Sequence, residues 1–422
     1  MVDARIPGFY GWPLEERRRV LKELTGLEDL SPLDPGAVGL ELADKLIENV
    51  VGVLGIPLGL GLNFKLNGTD YLVPMAVEEP SVVAAFSHAS KLVRLGGGFQ
   101  AEADAPEMIS QLQLSPKDGA DADRILAALA DAHGVLEDAA RTAAASMEKR
   151  GGGYRSHELR RLEDPEGGPP MVVIHVIVDV AEAMGANLVN HVAETLAPVV
   201  ERVTGTRVGL RILSNYADRR LARATARVPV KALGGRAVAE GVAEADRFAR
   251  IDPYRAATHN KGFMNGVDAV ALATGNDWRA IEAGCHTHAA RDGTYRSLTR
   301  WAVEGDFLVG RTEVPMAVGT VGGITRSHPT IALARRILGV DDAKTLAGLL
   351  AASGLAQNLA AIKALSTEGI QRGHMSLHAR QLAIAAGAET QEIDAVLALA
   401  LSEPPVSAQS VADALARHRG QK

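Results

Sequence analysis

Two short stretches of this 422-residue chain concentrate side chains able to move protons or hold an oxyanion. Val77-Glu78-Glu79-Pro80-Ser81 sets two carboxylates side by side where a strand pattern gives way to a helix pattern. Adjacent negative charge and burial would both push one carboxyl toward a neutral-range pKa, keeping an acid available to donate a proton. A solvated helix N-terminus, where the dipole favours acids, has the same composition. The second stretch, DPYRAATHNKGFMNG at 252–266, gathers Asp252, Arg255, His259, Asn260, Lys261 and Asn265 among small residues, and a polar knot, Thr274-Gly275-Asn276-Asp277-Trp278, follows it. Lys261 and Asp277 stand 16 positions apart, a spacing that lets the chain fold back and pair them. A lysine held by a carboxylate is a cation suited to polarising a carbonyl, and equally an ordinary structural ion pair.

Two turns built from small residues suit a phosphate. Glu182-Ala183-Met184-Gly185-Ala186-Asn187 opens a helix with Gly and Ala, allowing close approach to a positive helix end, although a tight strand-to-helix turn reads identically. Val318-Gly319-Thr320-Val321-Gly322-Gly323 is a second such turn. No G-x-G-x-x-G, Walker A, H-E-x-x-H or G-x-S-x-G pattern occurs, so a dinucleotide would be held without a Rossmann fingerprint. Two metal-like clusters are discounted, and no metal is expected. On the helix expected at 276–290 the side chains of Cys285, His286 and His288 diverge. His374 and His378 share a helix face at i, i+4 but lack the carboxylate of a zincin, and the spacing suits a structural or solvent-facing pair.

The composition narrows the classes. With 45 basic against 51 acidic residues the net charge is −6, and aromatics make up only 4%, which argues against nucleic-acid binding. A single cysteine, Cys285, rules out an intrachain disulfide, and the N-terminus has no secretory pattern, so a cytoplasmic location is expected. The most membrane-like run, VVGVLGIPLGLGL at 50–62, is too short to span and is broken by Pro57 and glycines; buried structure is expected there.

The elements that must position these groups read as an α+β fold. Amphipathic helices are expected at 14–24 and 41–52, the latter ending with Glu48 and Asn49, and a hairpin at 64–73 around Asn67-Gly68. Pro80 suits the first turn of the next helix, which Gly96-Gly97-Gly98 closes. Between 108 and 216 the order is strand, long helix (119–148), strand, strand, helix (184–203), strand. That order suits a ferredoxin-like split βαβ subdomain inserted in a larger mixed α/β domain formed by 1–107 and 217–370. Residues 371–422 read as an almost wholly helical, Ala/Leu-rich tail.

Taken together, these segments resemble the 3-hydroxy-3-methylglutaryl-CoA (HMG-CoA) reductase family, in its soluble bacterial class II form. The similar strings are ENVVG (48–52), VEEPS, EAMGAN, RILSN (211–215), DPYRAATHNKG, TGNDWRA (274–280), VGTVGG, GLAQN (354–358) and TEGIQRGHMSLHAR (367–380), in order over nearly the whole chain. The resemblance implies that Glu79 and Lys261 are the catalytic glutamate and lysine, Asp277 the aspartate linking them, and His374 the histidine of a mobile C-terminal flap made by the tail at 371–422. It implies that Ser81, Asn215, Arg255, Asn265 and Gln357 surround the acyl substrate, with Arg255 on its free carboxylate. Met184, Gly185, Ala186, Asn187, Gly319, Gly322 and Gly323 match dinucleotide contacts. ENVVG matches a dimer-interface segment, implying a homodimer, or an oligomer of dimers, whose active sites draw on two subunits.

The implied reaction interconverts HMG-CoA with mevalonate and coenzyme A, using NAD or NADP. NAD is the expected cofactor. The position where NAD-preferring relatives carry a ribose-binding aspartate aligns nearest to Ala144, with Arg141, Lys149 and Arg150 nearby, which could favour a 2′-phosphate. Tyr10 stands where relatives can carry an arginine near CoA, which leaves the CoA contacts unassigned. Another NAD(P)-dependent acyl-CoA oxidoreductase and a catalytically silent CoA- or nucleotide-binding oligomer are the competing readings. The retained Glu79, Lys261, Asp277 and His374 argue against the silent protein.

Overall fold

The computed structural model describes residues 2–367, 379–389, 391–403 and 405–420. Helices α1 (Leu14–Thr25) and α2 (Leu40–Leu46) precede a hairpin of β1 (Leu58–Leu66) and β2 (Thr69–Ala76). Asn67 and Gly68 turn it as their types predict, both with positive φ (49° and 85°). Helix α3 (Val82–Arg94) follows and is closed by Gly97 and Gly98, both also at positive φ.

The chain then crosses between two four-stranded antiparallel sheets, each with its own core. Strand β3 (Gln100–Ala103) joins the first, which is completed much later. The second comes from β4 (Glu107–Leu114), α4 (Gly119–Asp131), α5 (His133–Glu148), β5 (Gly153–Leu162), β6 (Met171–Asp179), α6 (Ala186–Thr204) and β7 (Val208–Leu213), in sheet order β5-β6-β4-β7. That is the order of a split βαβ unit. Even-numbered residues of β4 and β6, such as Leu112 and Ile174, face Ile125, Leu136 and Leu196 of the three helices. The single helix expected at 119–148 is two helices that meet at Ala132 (φ −90°, ψ 12°).

From β8 (Leu221–Pro229) the chain returns through α7 (Val230–Leu233), α8 (Arg236–Ile251), α9 (Pro253–Ala273), α10 (Trp278–Ala289), β9 (Thr299–Glu304), β10 (Phe307–Pro315), α11 (Pro329–Leu338) and α12 (Ala343–Ser366). The sheet order is β3-β8-β10-β9, and its core joins Phe86 and Phe99 to Phe263, Trp301 and Leu350. Among the described residues α12 is the one helix long and apolar enough to cross a membrane, but most of it is buried inside the fold. Helices α9 and α12 touch closely because both carry glycine at the contact. A Cβ on Gly266 would sit 2.4 Å from the Ser353 carbonyl oxygen, and one on Gly354 would sit 2.5 Å from the Phe263 ring. Two further helices, α13 (Ile393–Ser402) and α14 (Ala408–Gly420), share a small core of Val396, Val411 and Leu415 with Ala383.

Three local expectations are corrected. Helix α2 stops at Leu46 because Ile47 is extended and Asn49 takes positive φ (56°), so Glu48 and Asn49 lie outside it. The apolar run at 50–62 is not buried throughout: pairing with β2 begins at Leu58, and before it Val51, Val53, Leu54 and Ile56 are exposed. Pro80 does not open α3, which starts at Val82 after Ser81.

Candidate active site

Beyond the end of β2 the turn at 77–81 brings Glu79 against α9. Lys261 Nζ donates to Glu79 Oε2 at 2.6 Å, and Asn265 Nδ2 lies 3.5 Å from the same oxygen. Lys261 and Asn265 are neighbours on one face of α9 by their i, i+4 spacing. The pair is open to solvent, with side chains 61% (Lys261) and 41% (Glu79) exposed. A buried acid pair is therefore absent: the charge against Glu79 is an ammonium, and Glu78 is exposed. Ser81 holds positive φ (77°), a conformation that costs a residue with a Cβ on the order of 1 kcal/mol or more. Its carbonyl accepts from Ala85 N at 2.8 Å, fastening the turn to α3.

Two further expected residues lie on α9 and α12. Arg255 is half-buried, burial lowers its pKa from the usual guanidinium range, and among the described residues it has no carboxylate partner. Gln357 is 6% exposed, and its Oε1 has no hydrogen-bond partner. Its Cβ would be 2.8 Å from a Cβ on Gly266, which places it against α9 next to Asn265. Behind Lys261 a buried web fixes the helix. His259 Nε2 lies 2.7 Å from Thr299 Oγ1, which donates to Asp246 Oδ1 at 2.9 Å, and Asn260 accepts from Leu298 N at 2.9 Å. Burial pushes the His259 pKa down to about 3, so the ring is neutral.

Asp277 lies elsewhere. Helix α9 continues unbroken to Ala273, and the twelve residues after Lys261 span about 18 Å at 1.5 Å each. Asp277 caps α10 instead, accepting from Ala280 N at 3.1 Å with Arg279 at 3.4 Å. The expected pairing with Lys261 does not form within one chain. The Asp277 turn belongs with the two glycine-rich turns: Asn276 Oδ1 accepts from Gly319 N at 2.7 Å, Thr320 N donates to the Glu182 carbonyl at 2.8 Å, and Ala183 bridges Val321. The Glu182 carboxylate accepts from Thr320 Oγ1 and from Ala343 N at the start of α12.

The backbone of these turns fits a diphosphate. Gly319 lies so close to Met184 that a Cβ would be 2.4 Å from its nitrogen. Gly185 takes positive φ (99°) at the head of α6 and has no side chain to cap it, and no acid occupies the first turn. The N–H groups beginning at Ala186 and Asn187 therefore remain without intrahelical partners, as an anion site requires. Gly322 and Gly323 form an exposed turn, both at positive φ.

The remaining expected residues are dispersed. Asn215 is exposed beyond β7, its carbonyl backed by Gly284 of α10. His374 lies outside the described residues. Ala144 is fully buried and faces the helical core, not a ribose; Arg141 is paired with Glu137 at 2.8 Å. Cys285 and His286 diverge as expected, toward the Pro315 carbonyl (3.5 Å) and the Tyr295 hydroxyl (2.7 Å), and among the described residues no group of three ligands could hold a metal. Two features carry no sequence signal. Asp268 and Glu282 bring their carboxyls together between α9 and α10, and burial with the Glu282 charge pushes the Asp268 pKa up to about 8. Arg220 is buried beneath the glycine-rich turns.

The chain matches the family model for hydroxymethylglutaryl-coenzyme A reductase over residues 13–379. It is 45% identical to a 3-hydroxy-3-methylglutaryl-coenzyme A reductase of Archaeoglobus fulgidus, covering 99% of this chain and 95% of the relative. It is 34% identical to a probable enzyme of the same name from Borreliella burgdorferi, covering 80% and 77%. Among solved structures it resembles the Streptococcus pneumoniae reductase with a TM-score of 0.80 at 39% identity, covering 98% of this chain and 99% of that one. The class II enzyme of that organism bound to NADPH, in open conformations, superposes with a TM-score of 0.78 at 39% identity, covering 97% and 100%.

Proposed function

The chain belongs to the hydroxymethylglutaryl-coenzyme A reductase family, and on that premise we propose that it interconverts HMG-CoA with mevalonate and coenzyme A in the cytoplasm, with NAD(H) as its nicotinamide cofactor. The observation that carries this reading is the 2.6 Å contact between Lys261 and Glu79, held by Asn265 on a helix whose register a buried web fixes.

The turns at Met184–Asn187 and Gly319–Gly323 would hold the dinucleotide, each molecule of which would supply one hydride, so two in succession would be needed to take the thioester through the aldehyde to the primary alcohol. Lys261 donates to the substrate oxygen as negative charge develops there, and Glu79 delivers the proton that makes it a hydroxyl. Arg255, free of an internal carboxylate, takes the terminal carboxylate of the acyl group as a bidentate partner. Gln357 Oε1 accepts from the tertiary hydroxyl, satisfying an oxygen otherwise buried alone. Ser81 and Asn215 complete the acyl surroundings. His374 protonates the departing CoA thiolate, whose pKa of roughly 8–9 makes the neutral thiol the better leaving form.

The site is completed by a second copy. Asp277 cannot reach Lys261 along its own α9, and the exposed apolar segment around Val51 and Leu54 offers a surface for a second subunit. In a homodimer, Asp277 and the turns at Met184–Asn187 and Gly319–Gly323 of one chain face Lys261 and Glu79 of the other.

NAD is favoured because Arg141, three positions before Ala144 in the sequence, is already engaged by Glu137. Absorbance of the reduced nicotinamide, followed with mevalonate, CoA and either NAD or NADP, tests reaction and cofactor together. Reduction of NAD is expected. A faster rate with NADP would reverse the cofactor assignment, and no signal with either would favour a silent binding protein.

A further inference from the structure

Arg220 stands between β7 and β8, just before the chain returns to the first sheet, and is 4% exposed. A guanidinium is costly to bury without a counter-ion, yet among the described residues no carboxylate lies within ion-pair distance of it. Its donors go to backbone. Nη1 donates to the Ala183 and Met184 carbonyls, both at 3.3 Å, and Nη2 donates to the Val318 carbonyl. The first two carbonyls lie in the turn that heads α6, and the third lies in the turn ending at Gly323. The nearest acids are committed elsewhere: Asp179 pairs with Arg155 at 2.9 Å, and Glu182 accepts from Thr320 and Ala343. Burial lowers the Arg220 pKa only to about 10, so the group is charged at neutral pH.

In a trans peptide the carbonyl and the following N–H point in opposite directions. Drawing the Ala183 and Met184 carbonyls toward Arg220 therefore turns the N–H groups of Met184 and Gly185 away from it. Without that anchor the same peptides could rotate and offer carbonyl oxygens to an anion. We propose that Arg220 is a positioning residue for the dinucleotide: its buried fork holds three carbonyls of the two glycine-rich turns inward, and its charge, which no carboxylate among the described residues contacts directly, underlies the seat of the diphosphate. The proposal rests on the reading that these turns hold the dinucleotide. An arginine suits the task because one planar cation can reach several carbonyls at once, which an ammonium cannot do in the same geometry.

The test is titration calorimetry of the full-length protein with ADP-ribose, which carries the diphosphate but no nicotinamide, and separately with HMG-CoA. Arg220→Met is expected to weaken ADP-ribose about tenfold or more while HMG-CoA affinity stays within about twofold. Arg220→Lys, which keeps the charge but not the fork, should lose several-fold and show a steeper salt dependence than Arg220→Met. Should the Met variant fail to fold, the Lys variant carries the test by the same two affinities. Unchanged ADP-ribose binding in the folded variants, or equal loss of both ligands, overturns the proposal. A wild-type protein that binds HMG-CoA but not ADP-ribose overturns it differently, by removing the assignment of the turns themselves.

Discussion

Lys261 Nζ and Glu79 Oε2 meet at 2.6 Å although 182 residues separate them, joining the turn after β2 to the third turn of α9. Because both side chains are substantially exposed, the contact adds little to stability, and the role proposed for it is chemical. Lys261→Met and Glu79→Gln should each lower kcat by about a hundredfold or more, with thermal melting nearly unchanged. Steady-state kinetics beside a melting curve checks this, and a large loss of stability would mean the pair is structural.

Arg255 has no carboxylate partner in the described fold, so its proposed partner is the acyl carboxylate. Arg255→Lys keeps the charge but loses the planar fork. The expected result is a KM for HMG-CoA raised roughly tenfold with the KM for the dinucleotide unchanged.

His374 is proposed to act only where a thiolate leaves. His374→Gln should therefore slow HMG-CoA reduction much more than reduction of free mevaldehyde, measured with the same cofactor. Equal losses on the two substrates would remove the histidine from that step.

Asp268 supplies a pH signature. Its folded pKa of about 8 lies above the 3.8 of the free side chain, so between those values the folded state holds a proton that the unfolded state has released. Stability from this pair is present in acid and is lost as pH rises from about 4 through about 8. Melting temperatures should fall between pH 6 and pH 9, and Asp268→Asn should flatten that fall. An identical slope in the variant would show that other groups set it.

The hairpin at Asn67-Gly68 and the helix head at Gly185 were legible because each needs a backbone conformation few residues adopt. Helix α9 was harder to read. Gly262 and Gly266 sit among polar residues like the marks of a turn, and a turn would let Lys261 and Asp277 pair, but Gly266 is there so that α12 can approach. Local pattern does not separate a glycine that bends the chain from one that admits a neighbouring helix. Arg219 and Arg220 are adjacent and identical in type, yet the first pairs with Glu158 at the surface and the second is buried under two turns. The Asp268–Glu282 contact depends on how α10 packs on α9, which neither helix encodes alone.

The central claim is that Lys261 and Asp277 act together at one site but come from different chains. Lys261→Ala and Asp277→Ala, each inactive alone, should regain activity when unfolded together and refolded as a mixture. Half of randomly formed dimers are mixed, and each mixed dimer holds one site with both residues intact, so recovery approaches about a quarter of wild-type activity. Recovery near that level supports a site shared between subunits; a mixture that forms mixed dimers yet stays as inactive as its parents contradicts it.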